Sequence, residues 1–150
     1  MTANMDNLKI ELDNKKDVEG YVWFNLHKYN QQNCEFIKEN SSYAHNNKIN
    51  GDFIIYENDK IVGGALGHII WGWYHLTDFY ISEEYRNKGI GTQVIQKIEE
   101  FAKQNNALGV KIDSWSFQAP EFYKKLGYLE WGRFEDCPPG TIHYYLYKKF

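Results

Sequence analysis

At 150 residues, 43 % hydrophobic and 17 % aromatic, the chain suits one globular domain, residues 1–150, and excludes a disordered or disulfide-stapled protein. A net charge of −3 without a basic stripe argues against general affinity for nucleic acid. No apolar run approaches the roughly 20 residues that cross a bilayer, and the polar start of the chain holds no apolar signal core, so no membrane contact and a cytoplasmic location are expected.

In chain order, residues 8–12 alternate and predict a first strand. Asp17 precedes Val18, Val22, Leu26 and Tyr29, a helical spacing that Gly20 weakens. Cys34, like Cys137 later, has no metal or redox spacing, and the five histidines form no ligand pair, so no metal is expected. Residues 30–50 are polar and read equally as loop or short helix. Residues 53–56 and 61–68 predict two strands joined by a turn at Asn58 and Asp59. Gly63, Gly64 and Gly67 inside the second imply a bulge or a close backbone approach. Trp71, Gly72 and Trp73 turn into a third strand over 75–81. A helix over 92–105 places Val94, Ile95, Ile98, Phe101 and Ala102 on one face. A short strand over 110–113 follows, then a helix over 121–126 opened by Pro120 and ended by Gly127. Two aromatic strands, 128–134 and 143–149, flank Cys137, Pro138, Pro139 and Gly140, which cannot be strand.

Tyr85 to Thr92 joins a strand to the best helix, with Gly89 and Gly91 where the helix begins. Backbone N–H groups are unpaired at a helix start, and the helix dipole adds positive potential there. Glycine lets an anion approach those groups, and Arg86 and Lys88 add charge. The segment reads as a phosphate or pyrophosphate site, or as a flexible turn with surface cations. A P-loop lacks its Gly-Lys-Ser/Thr here, and a Rossmann turn lacks its third glycine.

Arg86, Gly89 and Gly91, in the pattern Arg-x-x-Gly-x-Gly, resemble the pyrophosphate motif of the GNAT superfamily of acyl-CoA-dependent N-acetyltransferases. Phe79, Tyr80 and Ile81 match the strand before that motif, and Ala119 to Tyr128, with Tyr123 and Gly127, match a second signature. The resemblance covers about residues 52–128; Trp71 to Trp73 and residues 116–120 and 135–140 are also similar to a bacterial subgroup of unassigned substrate. It implies an α/β GNAT fold, a mixed, twisted sheet flanked by helices and splayed at its centre to admit pantetheine. It implies acetyl-CoA as cofactor, bound by Phe79, Tyr80, Ile81, Arg86, Asn87, Lys88, Gly89, Ile90, Gly91, Thr92 and Tyr123. Ser116 stands where many members carry an asparagine that touches the cofactor, and a shorter contact is expected from it.

Acyl transfer needs a held thioester, a stabilised oxyanion, a neutral amine and a protonated leaving thiolate. The resemblance assigns the oxyanion to backbone N–H groups of residues 79–81 and the last proton to Tyr123. A thiol near pKa ~8.5 and a phenol near ~10 are matched for that transfer. An alkyl amine of pKa ~10.4 costs roughly 4–5 kcal/mol to neutralise at pH 7. Asp78 and His75 are the candidate bases, but alternation puts them on opposite faces of their strand, so one at most serves. The expected reaction is direct transfer, in a ternary complex, to a primary amine of a small molecule. A protein N-terminus or lysine as acceptor, an idle acyl-CoA-binding module, and a homodimer remain open.

Overall fold

The computed structural model describes residues 9–12, 16–41 and 48–150 of the chain, which divides into two compact units at Asn46/Asn47. In the first unit, α1 (Lys16–Asn33) carries Asp17 and Glu19 in its first turn, where the helix dipole favours acids. After one residue α2 (Glu35–Asn40) follows, tied back by Gln31 Nε2 donating to Ser41 O at 2.7 Å. The strand expected over 8–12 does not form in residues 9–12, where Ile10 is 99 % exposed and has no ladder partner; Leu8 lies outside the described residues. The undecided stretch 30–50 is helix up to Asn40 and strand at Ile49–Asn50; residues 42–47 lie outside the described residues. Among the described residues no helix is long and apolar enough to cross a membrane, and no His/Cys/Asp/Glu group is placed to hold a metal.

The second unit is a mixed sheet of seven strands: β1 (Ile49–Asn50), β2 (Phe53–Glu57), β3 (Lys60–Ile70), β4 (Trp73–Ile81), β5 (Gly109–Trp115), β6 (Leu129–Glu135) and β7 (Ile142–Lys149). The order is β1-β3-β4-β5-β7-β6, with β2 beside β3. Only β4–β5 is parallel, because α3 (Ile90–Gln104) crosses between them. Its apolar stripe, Val94, Ile95, Ile98 and Ala102, is buried against Ala65, Ile69, Tyr74, Leu76, Val110, Ile112 and Leu146. Full burial of an isoleucine such as Ile98 contributes about 1.5–3 kcal/mol. A short helix, α4 (Pro120–Lys125), adds Tyr123 to the same core. Gly67 meets the expectation of close approach: a Cβ there would strike the Tyr74 ring, whose hydroxyl donates to Gly51 O at 2.8 Å.

Two irregularities shape the site. Leu66 pairs with Asp78 but Gly67 pairs with Leu76, so Thr77 is an extra residue, a bulge in β4. Thr77 Oγ1 donates to Leu66 O at 3.0 Å, and Gly67 N–H donates to Asp52 Oδ1 at 3.0 Å. The bulge reverses the alternation: Tyr74 and Leu76 face the core before it, Phe79 after it. His75 and Asp78 therefore share the opposite face, which corrects the expectation that they point apart. The second irregularity is a splay. The β4–β5 ladder ends at Leu76↔Ile112, and the remaining halves of both strands do not pair with each other.

Candidate active site

The splay opens a cleft of about 890 Å³ between the ends of β4 and β5, floored by the start of α3 and by α4. At the α3 end, Gln93 N–H makes the first helical bond, to Gly89 O, so the N–H groups of Ile90, Gly91 and Thr92 have no intrahelical partner. No side chain caps this helix. Gly89 sits at φ +79°, a left-handed conformation that favours glycine, and a Cβ there would meet nothing within 4 Å. Arg86 Nε donates to Ile81 O at 2.7 Å, which holds the guanidinium over the Tyr80 ring. This is an open, uncapped, positively biased helix start, and it fits a pyrophosphate. The unpaired half of β4 fits an amide-bearing arm, since its backbone groups on the β5 side have no strand to bond. When bound, acetyl-CoA supplies an activated acetyl thioester.

Of the expected cofactor residues, Phe79, Tyr80, Ile81, Arg86, Asn87, Gly89, Gly91, Thr92 and Tyr123 line this one cleft, as does Asp78. Lys88 and Ile90 are not in its lining: Lys88 Nζ lies over the Tyr85 ring, and Ile90 packs against the core. Ser116 is outside it too. Its Oγ accepts from Ile142 N–H at 3.1 Å and its own N–H donates to Ile142 O at 2.7 Å, so it prolongs the β5–β7 ladder. His75 stacks on His68 away from the cleft; burial, then Lys111, His68 and Lys48, lower its pKa to about 4.

Tyr123 is 7 % exposed and packs edge-on against Phe122 and Tyr128. Burial, and after it the negative charge of Asp113, push its phenol up to about 12. It keeps its proton at any physiological pH and is able to give it up only to a strong base formed beside it. The sequence reading missed Asp113, Trp115 and Phe117, all in the cleft lining. Trp115 stacks on Phe117 on one side and on His143 on the other, at ring distances of 6.3 and 4.2 Å. Alternation along β5 does place Asp113 and Trp115 on one face, but only the β5–β7 register brings His143 to them.

A helix-start anion cradle opening onto the splay of a mixed sheet, with a buried phenol at its root, defines an acyl transferase that takes its acyl group from a coenzyme A thioester. The chain belongs to the Acetyltransferase (GNAT) family, which it matches over residues 15–128. It is an N-acetyltransferase of that type, and acetyl-CoA is its co-substrate. It is similar to the Blasticidin-S acetyltransferase of Streptomyces morookaense, 32 % identical over 94 residues that cover 62 % of this chain and 69 % of that one. A crystal structure of an acetyltransferase from Bacillus cereus ATCC 14579 superposes with a TM-score of 0.81 at 29 % identity, covering 95 % of this chain and 98 % of that one. A protein of Bacillus anthracis str. Ames, solved with acetyl coenzyme A, shares the fold at a TM-score of 0.62 and 21 % identity, covering 67 % and 63 %.

Proposed function

We propose that this enzyme acetylates a primary amine of a small cationic molecule, by direct transfer within a ternary complex. The observation that carries the reading is the acceptor side of the cleft, where two carboxylates, Asp78 and Asp113, stand beside the stacked rings of Trp115 and Phe117. Carboxylates draw an ammonium group, and aromatic faces hold a cation or a flat ring. Support for direct transfer comes from the nucleophiles: Cys34 and Cys137 are both exposed thiols and neither lines the cleft. Tyr123 protonates the departing thiolate, the N–H groups of residues 79–81 steady the carbonyl oxygen, and Asp78 attracts the ammonium. The similarity to a relative named for blasticidin S supports a small acceptor. The family match crosses the boundary between the two units, which supports one functional domain over 1–150.

The test is free-thiol release from acetyl-CoA with spermidine, glucosamine and lysine, run beside alanyl-terminated and lysine-rich peptides. Turnover with the small amines is expected at micromolar to millimolar KM. Turnover confined to the peptides would overturn the small-acceptor reading and leave acetyl transfer intact.

A further inference from the structure

An ammonium that is to attack a thioester must first lose a proton, and the structure places a group to take it. Asp113 is the first residue of β5 beyond the last β4–β5 pair, so its carboxylate stands at the root of the splay, in the cleft lining. One of its oxygens, Oδ2, is 2.7 Å from His143 Nε2. Asp113 faces Tyr145 across the β5–β7 ladder and Trp115 faces His143, so the contact is diagonal, which these side chains can span. The imidazole is clamped between Trp115, 4.2 Å away with planes 10° apart, and Tyr145 at 4.6 Å. Trp115 is itself fixed by Nε1–H donating to Cys137 O at 2.8 Å. The His143 side chain is 12 % exposed and that of Asp113 43 %, so the histidine is packed and the carboxylate open to the cleft.

The geometry points to Asp113 and His143 as the pair that accepts the proton of the acceptor amine. Asp113 is the catalytic group, since it faces the amine; His143 is a positioning residue that orients the carboxylate and shares the proton. The inference rests on the amine-acetylation reading above. One N–H bond of the ammonium breaks, its electron pair stays on nitrogen as the nucleophile, and the proton joins the pair as a unit. The exposed edge of the carboxylate then passes it to water. The titratable and charged groups on the same sheet face are Lys111 on β5, Tyr145 and Tyr147 on β7, and His75 and Asp78 on β4; Tyr123 reaches the site from α4. On β6 the neighbour is Phe134, which pairs with His143 and carries no charge.

The experiment is the pH profile of kcat/KM for spermidine, from pH 6 to 10, in the wild type, His143→Gln and Asp113→Asn. Glutamine keeps a hydrogen-bonding group but cannot carry the proton. At pH 7 both variants should lose about 10²-fold in kcat. The loss should shrink by about tenfold per pH unit as the amine, of pKa ~10.4, becomes neutral without help. Asp113→Asn should also raise KM. Calorimetric CoA affinity and melting temperature should stay unchanged in both. A deficit that is constant across pH, or a wild-type profile in His143→Gln, would overturn the pair. If only the peptides turn over, the small-acceptor reading fails, and the same titration with the lysine-rich peptide decides the pair by the same slope.

Discussion

In Tyr123 the ring and the hydroxyl separate two tasks: the ring packs in the core, and the hydroxyl is the group we propose for the chemistry. Its ring is buried, yet its hydroxyl makes no hydrogen bond to another described residue. Replacing it with phenylalanine therefore breaks no bond and leaves the packing against Phe122 and Tyr128 in place. The expected result is a fall of about 10²–10⁴ in kcat, with CoA affinity and melting temperature nearly unchanged. The effect belongs in kcat because the proton is needed only as the thiolate leaves. Rapid-mix turnover with saturating acetyl-CoA is the measurement, and full kcat in Tyr123→Phe would remove the phenol from the chemistry. Since the phenol is held up near 12, the variant should differ from the wild type by a constant factor between pH 6 and 9.

At the scale of elements, the start of α3 uses two glycines for different reasons. Gly89 needs its backbone conformation: alanine there has open space but a φ of +79°, which costs about 1 kcal/mol. Gly91 needs its missing side chain, since a Cβ would lie 3.2 Å from Phe122 Cζ and 3.6 Å from Ile81 Cδ1. Gly91→Val should weaken CoA and acetyl-CoA alike, by about tenfold or more, because the β-branch intrudes on the cradle both share. Calorimetry with each ligand checks this, and unchanged affinity would move the pyrophosphate elsewhere. The cradle was legible in the sequence because it is local: strand, glycines and helix follow one another within a dozen positions. The α3 stripe and the Asn58–Asp59 turn were legible for the same reason. The Thr77 bulge was not, since only the pairing of β3 with β4 reveals an extra residue. His143 and Asp113 lie 30 positions apart, and no spacing rule connects them. The tie of Ser116 to Ile142 was not legible either, because a polar residue near a motif has the same appearance whether it meets a ligand or a neighbouring strand.

For the whole molecule, pH acts on stability through His75. Its folded pKa of about 4 lies below the ordinary ~6.5 of an unfolded chain, so between those values the unfolded state binds more protons. This contribution is fully present above pH 6.5 and is lost as pH falls toward 4. The ring is only half buried, so solvent screening reduces the contribution to about 1–2 kcal/mol. Urea midpoints should fall between pH 6.5 and 4.5 in the wild type and fall less in His75→Gln; parallel curves would show that His75 is not responsible. The Thr77 bulge has a wider consequence, for how this chain compares with its relatives. It acts as a shift of reading frame in the backbone: every side chain after it in β4 lies on the face opposite to the one that strict alternation by position would give it. Were Thr77 instead to take an ordinary place in the ladder, Asp78 and Tyr80 would turn inward and Phe79 and Ile81 outward, exchanging the two faces of the strand's end. A relative aligned to this strand with a gap at 77 would thus keep the faces of 78–81, while one with a residue at 77 and no bulge would match in letters and present the opposite surface.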